Sequence, residues 1–199
     1  RIFGYLFHIA ATIGLIFAMR SENSMEHVAA LIYAGSAVGA VMAGDLIVLF
    51  VFWELLALSS VFLIWVRGTE RSYHAGIRYL IVQVGSGVLM LTGILIHYRT
   101  TGSLAFDHLG LGTLGTTLIF LAFGIKCAFP LFHNWLIDSY PEATPWGTVF
   151  LSAFTTKVAV YALARGFAGT EILIFVGAAM TVFPIFYAVI ENDLRRVLS

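Results

Sequence analysis

Two lysines and one glutamate stand in apolar surroundings where charged side chains are rare. The only lysines of the 199 residues are Lys126 and Lys157, and both lie inside long apolar segments, as does Glu54. An ionisable group at bilayer depth costs roughly 2.5 to 3.5 kcal/mol on insertion scales. Such groups usually mark an ion or proton path, so we expect these three side chains to be buried and to do chemistry together.

The chemistry open to these residue types is narrow. Lysine has three N–H donors and no acceptor, so it cannot coordinate Na⁺ but can hold and release a proton. Burial disfavours the charged form of a lysine, and a nearby carboxylate favours it. A sodium site would need clustered carboxylates or carbonyls. We therefore predict a proton-translocation site at Glu54, Lys126 and Lys157, with the partner of Glu54 supplied by another helix and exchange of Na⁺ left open.

Pro130 lies in the same apolar segment as Lys126. It has no N–H to give to the carbonyl four residues back, which is that of Lys126. Irregular backbone at membrane depth survives only where it is buried in protein or lines a wet cavity, and broken helices are typical of transporter ion sites. We predict a helix break at Pro130 that serves Lys126; the alternative is an ordinary proline kink.

Two further side chains are candidates for a relay. In a continuous helix His133 follows Lys126 by two turns and lies on the same face, and histidine titrates near neutrality. The alternative for His133 is an interfacial residue at a span end. Tyr161 shares a helical face with Lys157, where its hydroxyl could hold a water or the ammonium group.

Composition places these residues in a membrane. The chain is 60% hydrophobic and 11% charged, with a mean hydropathy of +0.93, which is typical of a polytopic helical membrane protein. About 20 apolar residues cross a bilayer. Seven spans are predicted, within one membrane domain of residues 1–199: Ile2–Met19, His27–Ala43, Leu46–Val66, Ile77–His97, Thr113–Asp138, Trp146–Arg165 and Glu171–Ile190.

Loop charges indicate an orientation, and net charge limits the partners. If loops alternate sides, one side collects six arginines and the other three; the six are Arg20, Arg67, Arg71, Arg78, Arg195 and Arg196, and the three are Arg1, Arg99 and Arg165. By the positive-inside rule the larger set is cytoplasmic and the chain start is external. The net charge is zero and no basic run exists, so we expect no nucleic-acid partner. Because His and Cys are scattered, we also expect no metal site and no cofactor.

Short polar signals predict where individual helices begin and approach each other. Asp45 is a natural N-cap for the third span, and Thr144 followed by Pro145 predicts the start of the sixth. Gly85-Ser86-Gly87 gives the fourth span a thin waist where another helix can come close, and Gly35 and Gly39 do the same in the second span.

Several of these segments resemble one protein family. Phe52-Trp53-Glu54-Leu55-Leu56, Gly124-Ile125-Lys126-Cys127-Ala128-Phe129-Pro130, Pro141-Glu142-Ala143, Thr156-Lys157-Val158-Ala159-Val160-Tyr161 and Asp193-Leu194-Arg195-Arg196 occur in this order. They resemble the antiporter-like membrane subunits shared by respiratory complex I, membrane-bound hydrogenases and multisubunit Na⁺/H⁺ antiporters. Lys157 and its neighbours are more similar to the D-type antiporter subunit and its complex I counterpart than to the branch with histidine in the eighth helix.

The resemblance implies a fold of about fourteen helices that contains two inverted five-helix repeats. The chain would then be a fragment covering about the third to ninth helices, including the first repeat. It also implies that Glu54 and Lys126 form a coupled pair, and that Lys157 passes protons onward. Partners would be other membrane subunits of a larger complex in the bacterial cytoplasmic membrane.

Three functions are open to such a chain. The first is proton translocation as a subunit of an antiporter or of an NADH:quinone oxidoreductase. The second is a scaffold in the same complexes that carries no flux, and it would tolerate loss of Lys126. The third, a quinone- or metal-binding redox subunit, has least support because no His or Cys cluster has ligand spacing.

Overall fold

The computed structural model describes residues 2–197, in which every regular element is a helix and the only β pairing is one isolated bridge between Asp45 and Ala105. The all-α class is thus confirmed. The elements are α1 (Ile2–Ala18), α2 (Ser24–Met42), α3 (Leu46–Trp65), α4 (Glu70–Thr101), α5 (Leu114–Lys126), α6 (Asn134–Ser139), a 3₁₀ turn (Tyr140–Glu142), α7 (Pro145–Gly166), α8 (Ile172–Ile190) and α9 (Leu194–Val197).

Five of these helices are long and apolar enough to cross a membrane, namely α2, α3, α4, α7 and α8. The shorter apolar helices α1 and α5 have 17 and 13 residues. Together they account for the seven predicted spans, with one correction. The fifth span, predicted as Thr113–Asp138, is two helices separated by residues 127–133.

Local capping sets several helix ends as predicted. The Asp45 carboxylate accepts from the backbone N–H groups of Ile47 and Val48, at 2.9 and 2.8 Å. The Thr144 hydroxyl accepts from Gly147 N at 2.9 Å, and Pro145 is the first residue of α7. Each cap satisfies helix-start N–H groups that have no partner within the helix.

The fourth span is longer than predicted. A capping box at Thr69 and Ser72 begins α4 seven residues before Ile77, and Gly102 ends it in the left-handed conformation at φ 70°. At 1.5 Å per residue its 32 residues reach about 48 Å. The helix therefore extends past a hydrocarbon core of about 30 Å, and its first turns carry polar side chains.

Close helix contacts depend on small residues. A Cβ on Gly93 of α4 would lie 2.7 Å from the Gly115 carbonyl of α5, so these helices meet nearly backbone to backbone. A Cβ on Gly39 of α2 would overlap the ring of Phe52 on α3, as predicted for this position, whereas Gly35 has nothing within 4 Å. Glycines let membrane helices pack this closely.

Contacts at the two ends of the bundle support the predicted grouping of arginines. Arg67 donates to the Pro141 carbonyl at 2.7 Å and pairs with Glu142 at 3.2 Å, and Arg195 donates to the same carbonyl at 3.3 Å. At the opposite end Arg165 donates to the Ala43 carbonyl at 2.7 Å. Arg67 and Arg195 thus share one end, while Arg1 lies outside the described residues.

Helix α8 lies at the edge of the bundle. None of its residues is buried, although Leu173, Val176 and Met180 pack against the core. It contacts the segment that follows α5 through Phe183, whose ring centroid lies 5.3 Å from that of His133. One side of the space between α7 and α8 is therefore open.

Candidate functional site

Lys126 is the last residue of α5 and is completely buried. Its Nζ donates to the Trp53 carbonyl of α3 at 2.9 Å and lies 4.4 Å from the centroid of the Trp53 ring. Carbonyl and ring face both present negative charge to a cation. The side chain is thus held by α3, in a place that leaves its remaining N–H donors free to bind other acceptors.

Glu54 is the next residue on α3, and Gly87 of α4 gives it room. The carboxylate is near the Lys126 ammonium group but forms no ion pair with it, and its Oε1 is buried with no hydrogen-bond partner among residues 2–197. A Cβ on Gly87 would overlap Oε1. Only glycine at this position lets the Glu54 side chain lie where it does.

The backbone break after Lys126 is wider than a proline kink. Ala128 and Leu131 both have positive φ, at 61° and 77°. Within the break Ala128 N donates to Ile125 O at 3.1 Å and Phe129 N donates to Gly124 O at 3.0 Å. The Trp135 indole then donates to Ile125 O at 3.0 Å. Side chain and backbone together satisfy the carbonyls that α5 leaves open at its end.

The expectation that Pro130 alone frees the Lys126 carbonyl is therefore corrected, because α5 has already ended before that proline. We expect Pro130→Ala to keep the break, since left-handed residues lie on both sides of it. Proton flux of the complex in vesicles should stay within about threefold of wild type, and thermal stability should change by less than about 1 kcal/mol. A large loss of flux at unchanged stability would show that Pro130 itself is required.

His133, Pro130 and Lys157 line one cavity of about 430 Å³ between the break, α7, α8 and α9. His133 directly precedes α6, so the helical spacing that was to place it on the face of Lys126 does not apply. Its Nδ1 is buried with no hydrogen-bond partner among the described residues. Lys157 is exposed rather than buried, because α8 leaves this side of α7 open. Glu191 and Arg196 close the far end of the cavity.

The Tyr161 hydroxyl is hydrogen-bonded to groups other than the Lys157 ammonium group. It donates to the Val41 carbonyl at 2.8 Å and accepts from Arg165 at 3.0 Å. The tyrosine thereby ties α7 to α2 at the Arg165 end of the bundle. Its part in a relay remains a prediction.

Other residues of the site were not predicted as functional. The Trp53 indole donates to the Ser86 hydroxyl at 3.2 Å, and that hydroxyl donates to the Ala122 carbonyl of α5 at 3.0 Å. Gln83 lies one turn away on the same helix and is fully buried. The glycine waist at residues 85–87 was a signal for close approach, but sequence spacing gave no indication that Gly87 faces Glu54.

The chain belongs to the family described as NADH:quinone oxidoreductase/Mrp antiporter, TM, whose model matches residues 43–199. The D-type subunit of the Na(+)/H(+) antiporter of Alkalihalophilus pseudofirmus is 33% identical over 182 residues, covering 81% of this chain and 36% of that protein. The NADH-quinone oxidoreductase subunit N of Deinococcus radiodurans is 31% identical over 140 residues, covering 64% of this chain and 28% of that protein.

Solved structures agree with the fold. The Mrp complex from a Dietzia species contains a chain that superposes with a TM-score of 0.84 at 25% identity, with 98% of this chain and 40% of that chain covered. An archaeal membrane-bound sulfane sulfur reductase gives a TM-score of 0.86 at 24% identity, over 98% of this chain and 46% of that chain. The chain therefore spans less than half the length of these relatives and has their multi-pass helical architecture.

Proposed function

We propose that this chain forms the proton-carrying part of an antiporter-like subunit, in which Glu54, Lys126 and Lys157 move protons through the membrane. The observation that carries the proposal is Lys126, a fully buried ammonium group at the end of a broken helix. It is next to the half-buried carboxylate of Glu54. Burying an ionisable group in a membrane costs free energy, and such groups usually mark an ion or proton path. A scaffold would gain nothing from that cost.

The arrangement supports a two-position switch. When Glu54 is near Lys126, the ammonium form is favoured, and when the carboxylate moves away, burial favours release of the proton. His133 and Lys157 line the cavity on the other side of the break, where a released proton could be received. Lys157 of α7 lines this cavity opposite residues of α8, and onward transfer is proposed to pass through Lys157.

By family membership we extend the proposal to the assembly. The relatives are subunits of Na⁺/H⁺ antiporters and quinone oxidoreductases, so other membrane subunits are proposed as partners, in the bacterial cytoplasmic membrane with the end bearing Arg67 and Arg195 toward the cytoplasm. Whether Na⁺ is exchanged belongs to the whole complex. Of Glu54, Lys126 and Lys157 only Glu54 carries a carboxylate, whereas a sodium site requires several carboxylate or carbonyl oxygens.

Variants of Glu54 test the switch. Glu54→Gln keeps the shape of the side chain and removes its charge, so we expect proton flux of the native complex to fall about tenfold, as for one unit of altered proton affinity. Glu54→Asp keeps the charge on a shorter arm and should retain part of the flux. Flux is measured in vesicles that contain the assembled complex. Equal activity of both variants would contradict the switch.

A further inference from the structure

Gln83 is a buried amide whose hydrogen bonds are not accounted for. Its side chain is 0% exposed, and neither Oε1 nor Nε2 has a hydrogen-bond partner among residues 2–197. Leaving such a group unpaired costs about 1–3 kcal/mol, and buried polar groups are normally satisfied by protein or by ordered water. None of the family motifs in the sequence includes this residue.

The register of the helices places Gln83 at the level of Lys126. The Ser86 hydroxyl bonds to Ala122 O, and Gly93 meets Gly115, so α4 and α5 run antiparallel. Gln83 is one turn before Ser86, and Lys126 is one turn after Ala122. Both steps go in the same direction along the bundle, so the two buried residues are opposite each other.

Side-chain direction then separates their functional groups. Helical side chains lean toward the N-terminus of their own helix. Lys126 accordingly leans toward Trp53, where its hydrogen bond is found. Gln83 leans the other way, toward Tyr79, whose hydroxyl lies 2.7 Å from the Ser60 hydroxyl. Ser60 and Tyr79 are both 0% exposed.

We propose that Gln83 binds water between Lys126 and the Ser60–Tyr79 hydroxyl pair, and that this water exchanges protons with Lys126 from the end of the bundle that carries Arg67. The inference rests on the proposed function and adds a water site and three residues to it. Gln83 offers a donor and an acceptor, which is enough to hold a water that also contacts its neighbours. Gln83 is a positioning residue, since an amide does not itself give up its proton.

The transfer balances with water at the Arg67 end of the bundle as the final proton acceptor. As an Nζ–H bond of Lys126 breaks, the bound water gains that proton and passes one of its own to the hydroxyl pair. Ser60 and Tyr79 can each act as donor to the other, so the pair can hand a proton on and then reset. Lys126 changes from an ammonium group to a neutral amine, the positive charge leaves with the proton that the pair passes to that water, and the bound water, Gln83 and both hydroxyls are neutral before and after the step.

Two substitutions and two matched controls test the proposal in the full-length protein within its complex. Gln83→Met and Tyr79→Phe remove the polar atoms while keeping the bulk. Met90→Leu changes a fully buried residue on the same helix, and Ser59→Ala removes a buried hydroxyl that donates to the Leu55 and Leu56 carbonyls of its own helix, at 2.7 and 3.3 Å. Thermal stability, proton flux and its pH profile are measured in the same preparations.

We expect Gln83→Met and Tyr79→Phe to lower flux about tenfold, as for loss of one strong hydrogen bond on the transfer path, and to shift the pH profile. Both controls should keep wild-type flux. Gln83→Met should be as stable as wild type or more so, because it removes a polar group from the core. A high-resolution map of the complex should show water within hydrogen-bond distance of the Gln83 amide.

Wild-type flux in Gln83→Met, or parallel loss of flux and stability in it, would overturn the inference, as would equal losses in Ser59→Ala and Tyr79→Phe. An amide bonded to protein in the map would do the same. Failure of the proposed function is distinguishable, because it would appear as full flux in a variant that lacks the Lys126 ammonium group, whatever Gln83 does.

Discussion

Lys126→Met should abolish most of the proton flux while the complex still assembles. Methionine keeps an unbranched side chain and removes the ammonium group that lies over the Trp53 ring. A positioned proton-transfer group contributes about 100-fold or more to a rate, so we expect a loss of roughly 100-fold in vesicles. Stability should hold or rise, since a buried charge is replaced by an apolar group of similar volume.

Lys126→Arg provides the sharper comparison. Arginine keeps the positive charge at this position but does not deprotonate in proteins. If the site needs only a fixed cation to hold Trp53 and Glu54, the arginine variant should be active; if it needs a proton that comes and goes, Lys126→Arg should be nearly as inactive as Lys126→Met. Full flux in both variants would favour the scaffold function.

The parts of the fold that sequence predicted are those set by neighbours along the chain. Asp45 and Thr144 begin helices because their side chains bond to N–H groups two or three residues on. Seven apolar segments likewise predicted the long apolar helices of the bundle. These signals are local, and the structure confirms them to within a few residues, except where polar turns extend α4 and where α5 ends early.

The break after Lys126 was predicted only in part. Pro130 signalled that the helix could not continue, but left-handed backbone at Ala128 and Leu131 has no such mark in the sequence. That conformation is held from outside, by the Trp135 indole on Ile125 O. The chain is not helical between Lys126 and His133. Helical spacing therefore predicted the wrong position for the histidine relative to the lysine.

Helical spacing predicted that Glu54 needs a partner on another helix, and only the family resemblance named that partner. The Glu54 carboxylate of α3 lies near Lys126 of α5 but forms no ion pair with it, so their coupling stays a prediction. The glycine waist of α4 predicted a close approach, but only the fold shows that Gly87 faces a carboxylate and Gly85 faces open space. Which side of a helix meets which neighbour depends on tertiary packing.

Gly87→Ala should disable the site although it adds only a methyl group. The new Cβ would overlap Glu54 Oε1 and lie 3.2 Å from Oε2, so the carboxylate must move away from its place beside Lys126. A displacement of about 1 Å can cost roughly 100-fold in rate, and overpacking costs about 1–3 kcal/mol of stability. Flux and thermal stability of the complex are the measurements.

Gly85→Ala is the matched control, since nothing lies within 4 Å of its Cβ. Alanine is favoured over glycine in a helix by about 1 kcal/mol, so this variant should keep its flux and gain slightly in stability. If Gly85→Ala and Gly87→Ala lose flux equally, helix rigidity and not the position of Glu54 would be the cause.

Combining Gly87→Ala with Glu54→Asp separates displacement of the carboxylate from general damage to packing. The shorter aspartate withdraws its carboxylate from the space that the new methyl group needs, so the double variant should be more stable than the sum of the two single changes predicts. The flux of the double variant should be no lower than that of Gly87→Ala alone. Additive losses in both measurements would mean that the methyl group acts on α3 as a whole, and that Gly87 is a packing residue without a specific part in placing Glu54.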